Sequence, residues 1–102
     1  MKLLILATIK EQTPELSKLL KKEGVPVFSI LDAVGVKNIV DDNLTDDWFG
    51  RGVGTFESSF IVSFMQDHLV DKTLAVINLL NQSTTTDFPV RTFVMAVEQP
   101  LN

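Results

Sequence analysis

Leu3-Leu4-Ile5-Leu6-Ala7-Thr8-Ile9 is a run of mostly branched apolar residues that stops at Lys10-Glu11-Gln12. Its length and composition predict a β-strand. Side chains alternate between the two faces of a strand. One parity here holds Leu3, Ile5, Ala7 and Ile9, and the other Leu4, Leu6 and Thr8. Both are apolar, so the strand calls for cover on two sides. Ser59 to Met65 repeats the pattern, with Phe60, Val62 and Phe64 set against Ile61 and Met65. So does Val90 to Glu98, where Val94 and Ala96 oppose Phe93, Met95 and Val97.

Helical signals lie between these strands. In Thr13-Pro14-Glu15 the threonine suits a cap, the proline a first helical position and the glutamate the positive helix end. Leu16, Leu19 and Leu20 share one face, Gly24 is a left-handed terminator, and Pro26 prevents continuation. Val27 to Val36 reads as the second strand. Asp67 is expected to cap a second helix whose apolar stripe is Val70, Leu74 and Ile77, widened by Leu69, Val76 and Leu80. Gln82 to Pro89 is a polar connection to the last strand. The order βαββαβ, in one domain over residues 1–102, predicts an α+β ferredoxin-like sandwich. Right-handed crossovers place both helices on one face of a four-stranded antiparallel sheet. The other face is then an apolar patch larger than the few hundred Å² usual on a soluble monomer. Self-association is its simplest cover.

The connection from about Lys37 to Glu57 has no stable period. It carries Asp41, Asp42, Asp46 and Asp47, three glycines (Gly50, Gly52, Gly54), and Trp48, Phe49 and Phe56. So long a connection in so small a domain is expected to be functional or flexible.

Composition narrows the function classes. The 102 residues hold 9 Lys and Arg against 13 Asp and Glu, a net charge of −4. Binding to nucleic acid needs a concentrated positive patch, which this balance argues against. There is no cysteine, which excludes disulfides, thiolate metal sites and cysteine nucleophiles. An acylphosphatase-type enzyme shares the element order but needs an anion-cradling loop with an arginine after the first strand. Here that turn is Lys10-Glu11-Gln12-Thr13. No apolar window approaches the roughly 20 residues of a membrane helix, and Met1 to Ile9 lacks the basic start and cleavage site of a secretory signal. The expectation is a cytoplasmic protein without enzymatic activity.

The chain resembles, as a divergent relative, the PII-like signalling proteins of the nitrogen regulatory protein PII superfamily. The resemblance runs from Met1 to about Gln99. It rests on Lys2-Leu3 through Ala7-Thr8-Ile9-Lys10, on Leu19-Leu20-Lys21-Lys22-Glu23-Gly24-Val25, on Ser29 and Val34-Gly35, and above all on Arg91-Thr92-Phe93-Val94-Met95-Ala96-Val97-Glu98. It implies a ferredoxin-like subunit of a homotrimer that binds adenine nucleotides between subunits. It also implies a T-loop between the second and third strands that docks onto a protein target such as a transporter or an enzyme. Carried over residue by residue, the ligand-binding candidates are Ser29, Gly35, Lys37, Thr85 and Arg91. Arg91 stands where the family has a phosphate-contacting lysine. Where the family has a glycine-rich phosphate loop, this chain has Ser83-Thr84-Thr85-Thr86-Asp87-Phe88-Pro89, without a glycine.

Several groups admit two readings. Trp48, Phe49 and Arg51 are candidates for holding a protein partner, since aromatic and arginine side chains anchor interfaces. The aromatics can equally fold back over the subunit edge. The four loop aspartates can gather a hard cation or form a solvated acidic loop. The cation reading belongs to a trimer of the CutA-like, divalent-cation-tolerance kind, which shares the subunit architecture. Gly50-Arg51-Gly52-Val53-Gly54 reads as a hinge rather than a phosphate cradle, lacking the flanking strand and helix. Lone His68 reads as a surface residue. Asp32, on an apolar parity, reads as one half of an ion pair with a lysine across the subunit interface, or as a ligand contact.

Overall fold

Leu4 and Leu6 are buried and join the core, whereas their neighbours Leu3 and Ile5 lie on the opposite parity and are only partly covered. That alternation belongs to strand β1, Lys2–Ile9, and it orients the whole molecule. The computed structural model describes residues 1–37, 54–84 and 88–98, with side chains for all of them except 37 and 54–56. After β1 come a 3-10 turn Lys10–Gln12, helix α1 Thr13–Lys22, strands β2 Ser29–Lys37 and β3 Gly54–Met65, helix α2 Asp67–Ser83 and strand β4 Arg91–Ala96. The strands form one sheet in the order β2-β3-β1-β4, antiparallel throughout. This is the α+β ferredoxin-like sandwich.

The core is a single apolar layer between sheet and helices. Leu4, Leu6, Ile61 and Met65 of the sheet meet Leu16 and Leu20 of α1 and Val70 and Ile77 of α2. Each fully buried leucine or isoleucine contributes about 1.5–3 kcal/mol. Helix α1 ends in a Schellman turn. Gly24, at φ +84, donates its N–H to the Lys21 carbonyl at 3.1 Å, and the Val25 N–H reaches the Leu20 carbonyl at 3.0 Å. Glycine suits that left-handed position, and buried Val25 and Leu20 complete the hydrophobic contact of the motif.

The opposite face of the sheet carries a row that crosses all four strands: Leu31, Phe60, Ala7 and Arg91. Around it stand large apolar side chains in solvent. Phe64 is 60% exposed, Leu31 49% and Met95 48%. The sequence expectation of a second apolar face therefore holds for the single chain.

Four sequence expectations are corrected. Strand β3 begins at Gly54 rather than Ser59, because residues 54–58 pair in register with 37–33 of β2. Cross-strand pairing there prevails over the low strand propensity of the glycine-rich approach. Thr13 does not cap α1. The 3-10 turn leaves Gln12 already in helical geometry, so the extended backbone that a capping residue needs is missing, and Thr13 is the first helical residue. Asp67 likewise lies inside α2, after the extended cap residue Gln66, where its charge still faces the positive helix end. Asp32 forms its ion pair within the chain, with Lys10 at 3.9 Å.

Candidate functional site

Beyond the last β1–β3 pair, Ile9 with Ser58, the β2 and β3 strands continue alone. Val34–Glu57, Gly35–Phe56, Val36–Thr55 and Lys37–Gly54 form a two-stranded ribbon that bears the connection. Val34 and Val36 are 67% and 74% exposed on it. The root of the ribbon is fastened by serines. Ser59 Oγ donates to Asp32 Oδ1 at 3.3 Å, and Ser58 Oγ approaches the Ala33 carbonyl at 3.5 Å. At the far end of β2, Ser63 Oγ donates to the Val27 carbonyl at 2.6 Å. A cavity of about 210 Å³ at the ribbon root is lined by Lys10, Asp32, Ala33, Val34 and Glu57.

The candidate ligand residues fall on both margins of the sheet. Ser29 opens β2, Gly35 lies in the ribbon, and Lys37 ends the strand. Arg91 opens β4, at the other margin, level with Leu31. Three inter-strand spacings of about 4.8 Å separate the two margins. One chain therefore does not bring Arg91 to Gly35 and Lys37. Ser29 lines a small cavity with Val27, Phe28, Val62, Ser63 and Phe64. A cavity of about 470 Å³ between α2 and β4 is lined by Asp71, Leu74, Ala75, Ile77, Asn78, Asn81 and Thr92, and it includes none of the candidates. Thr85, Trp48, Phe49, Arg51 and the four loop aspartates lie outside the described residues. Among the described residues, no three histidine or acidic side chains gather to hold a metal ion. No helix there is long and apolar enough to cross a membrane. His68 is exposed in the first turn of α2.

Sequence reasoning missed one residue beside Arg91. Asn81, in the last turn of α2, holds Val90 in a two-point grip. Its Nδ2 donates to the Val90 carbonyl at 2.9 Å, and its Oδ1 accepts the Val90 N–H at 2.9 Å. The side-chain amide thus acts as one more rung of the sheet ladder. Nothing in the sequence marks it, because an asparagine near a helix end has many uses.

Sheet order, helices on one face and the β2–β3 ribbon together define a ferredoxin-like subunit. The fold is similar to that of CPII, a nitrogen regulatory PII-like protein from Thiomonas intermedia solved bound to ADP, AMP and bicarbonate. The match has a TM-score of 0.60 at 16% identity and covers 98% of this chain and 94% of that one. No protein-family model matches the sequence. No curated protein matches it either.

Proposed function

We propose that the protein is a PII-like regulator: a homotrimer that binds a small anionic metabolite, with an adenine nucleotide as first candidate, in clefts between subunits. The observation that carries this reading is the placement of Gly35 and Arg91 on opposite margins of one sheet, in a chain whose fold matches a PII-like protein along nearly its whole length. A cleft that uses both residues takes β2 from one copy and β4 from the next. The uncovered apolar face, with Phe64, Leu31 and Met95 in solvent, supports association of copies. Within the cleft, Arg91 offers a planar fork of donors for an oxyanion, and Lys37 a second positive charge. The ligand acts by differential contact, favouring one arrangement of the ribbon and its connection. Trp48, Phe49 and Arg51 then meet a protein target, in a cytoplasmic setting. The role needs no covalent chemistry.

Native mass spectrometry of the protein purified from its host tests this reading. The expected result is a trimer of 11.4 kDa chains carrying a retained small anion. A lone, well-folded 11.4 kDa chain at micromolar concentration contradicts it.

A further inference from the structure

Backbone hydrogen bonds alternate along an antiparallel strand, so one bond fixes the direction of every other rung in an unbroken register. The Val97 N–H donates to the Met1 carbonyl at 3.3 Å. These two residues continue the register that pairs Ala96 with Lys2 and Met95 with Leu3. Arg91, Phe93 and Met95 therefore direct their backbone groups at β1, and Thr92, Val94 and Ala96 direct theirs outward, away from the sheet. Val90 falls in the outward set, and Asn81 meets both its N–H and its carbonyl there, at 2.9 Å each. The registers of β1 with β3 and of β3 with β2 are continuous as well. Carried through them, the same alternation turns Ile30, Asp32, Val34 and Val36 outward on the opposite margin. β4 and β2 are the two ends of the sheet, and among the described residues no strand pairs with either outer edge.

Resting on the proposed association of copies, we infer that the outer edge of β4, from Thr92 to Ala96, is a strand-addition surface whose occupant is the outer edge of β2 in a second copy. A bare edge is a template for pairing, and from Thr92 to Ala96 it carries neither the charge nor the proline that guards such edges. Three features select the occupant. Strand directions alternate across the sheet, so β4 of one copy and β2 of the next run antiparallel when joined head to tail. On both edges the outward residues carry their side chains on the helix side, in the rows of Leu6 and Ile61. A hydrogen-bonded pairing therefore sets helix side beside helix side. The free apolar face then runs on across the joint, from exposed Met95 to exposed Leu31 of the next copy. The joint uses up both open edges, and its repetition closes into a ring where the rotation allows. Asn81 marks the end of the seam. Its amide already fills the Val90 rung, so the added strand stops at Thr92 and the copies part at the start of β4.

Amide exchange read residue by residue, with sedimentation of the same samples, tests the seam. In the assembled wild type the Thr92, Val94 and Ala96 amides are expected to exchange slowly, although none of them faces β1. Val94→Pro removes one outward donor and leaves the β1 bonds of Phe93 and Met95 in place, and proline is accepted on an edge strand. The variant is expected to sediment as a single folded chain of 11.4 kDa, with fast exchange at Thr92 and Ala96. Val94→Ala loses more of the side chain but keeps the N–H, and should assemble as the wild type does. Thr92→Pro repeats the test one rung away, so a folding failure at one position leaves the other.

Fast exchange at Thr92, Val94 and Ala96 in an assembled wild type overturns the inference and leaves the association of copies standing. Slow exchange at Thr92 and Ala96 in the single-chain Val94→Pro variant overturns it too, since the edge is then covered from within its own chain. An assembly that survives both proline variants does the same. A wild type that stays a single chain removes the association of copies, and the inference with it.

Discussion

Lys10 Nζ lies 3.9 Å from Asp32 Oδ2, joining the turn after β1 to the second strand at the root of the ribbon. The side chains are 49% and 68% exposed, so water and salt screen the pair. Its value is at most about 0.5–1 kcal/mol. Asp32→Asn keeps an acceptor for Ser59 and should move the urea midpoint only slightly. A loss above 2 kcal/mol in urea unfolding refutes this view of Asp32 as a peripheral tie.

Gly24 has space around it: no atom lies within 4 Å of where a Cβ would stand. Its constraint is the backbone alone, at φ +84. Gly24→Ala should destabilise by about 1–2 kcal/mol, the left-handed penalty of an L-residue. Gly24→Asn should cost less, because asparagine tolerates that region. Equal midpoints for the wild type and both variants in thermal unfolding refute the assignment.

Thr73 is fully buried on the inner face of α2, and its Oγ1 has no hydrogen-bond partner among the described residues. Thr73→Val removes the stranded hydroxyl and keeps the shape. A gain of about 1 kcal/mol is expected, read as a Tm rise of about 4–8 °C in calorimetry. A lower Tm would show that the hydroxyl does useful work in solution.

Leu31 and Met95 are about half exposed on the free face of the sheet. Leu31→Glu combined with Met95→Glu puts two charges per chain there. If copies cover that face, the double variant should sediment at the mass of a single chain where the wild type sediments at a multiple. An unchanged sedimentation coefficient places the contact elsewhere.

Much of this molecule is legible in the sequence, and the reasons differ by element. The doubled apolar parity of β1, from Leu3 to Ile9, announces both the core under the helices and the face left open. Gly24 and Pro26 mark the end of α1 because their backbone chemistry is local. The start of β3 is not local: Gly54 to Ser58 become strand only by pairing with β2. The caps go astray for a similar reason, since a 3-10 turn shifts the register by which Thr13 would have capped. For the candidate site, the sequence singles out Gly35 and Arg91, but it does not say that the chain sets them at opposite margins. That follows from strand order, which no stretch of residues encodes alone. The grip of Asn81 on Val90 joins positions nine apart and depends on where a helix and a strand happen to meet.

The ribbon of β2 and β3 beyond Ile9 has a mechanical consequence. Four paired rows at about 3.3 Å per residue give a boom some 13 Å long. Two-stranded ribbons twist more than wider sheets and hold less firmly on their own. A boom that yields to torsion turns a small rotation at its foot, beside Asp32 and Ser59, into a larger sweep at its tip. Whatever touches Gly35 thereby has leverage over the far end of the ribbon, where Lys37 pairs with Gly54.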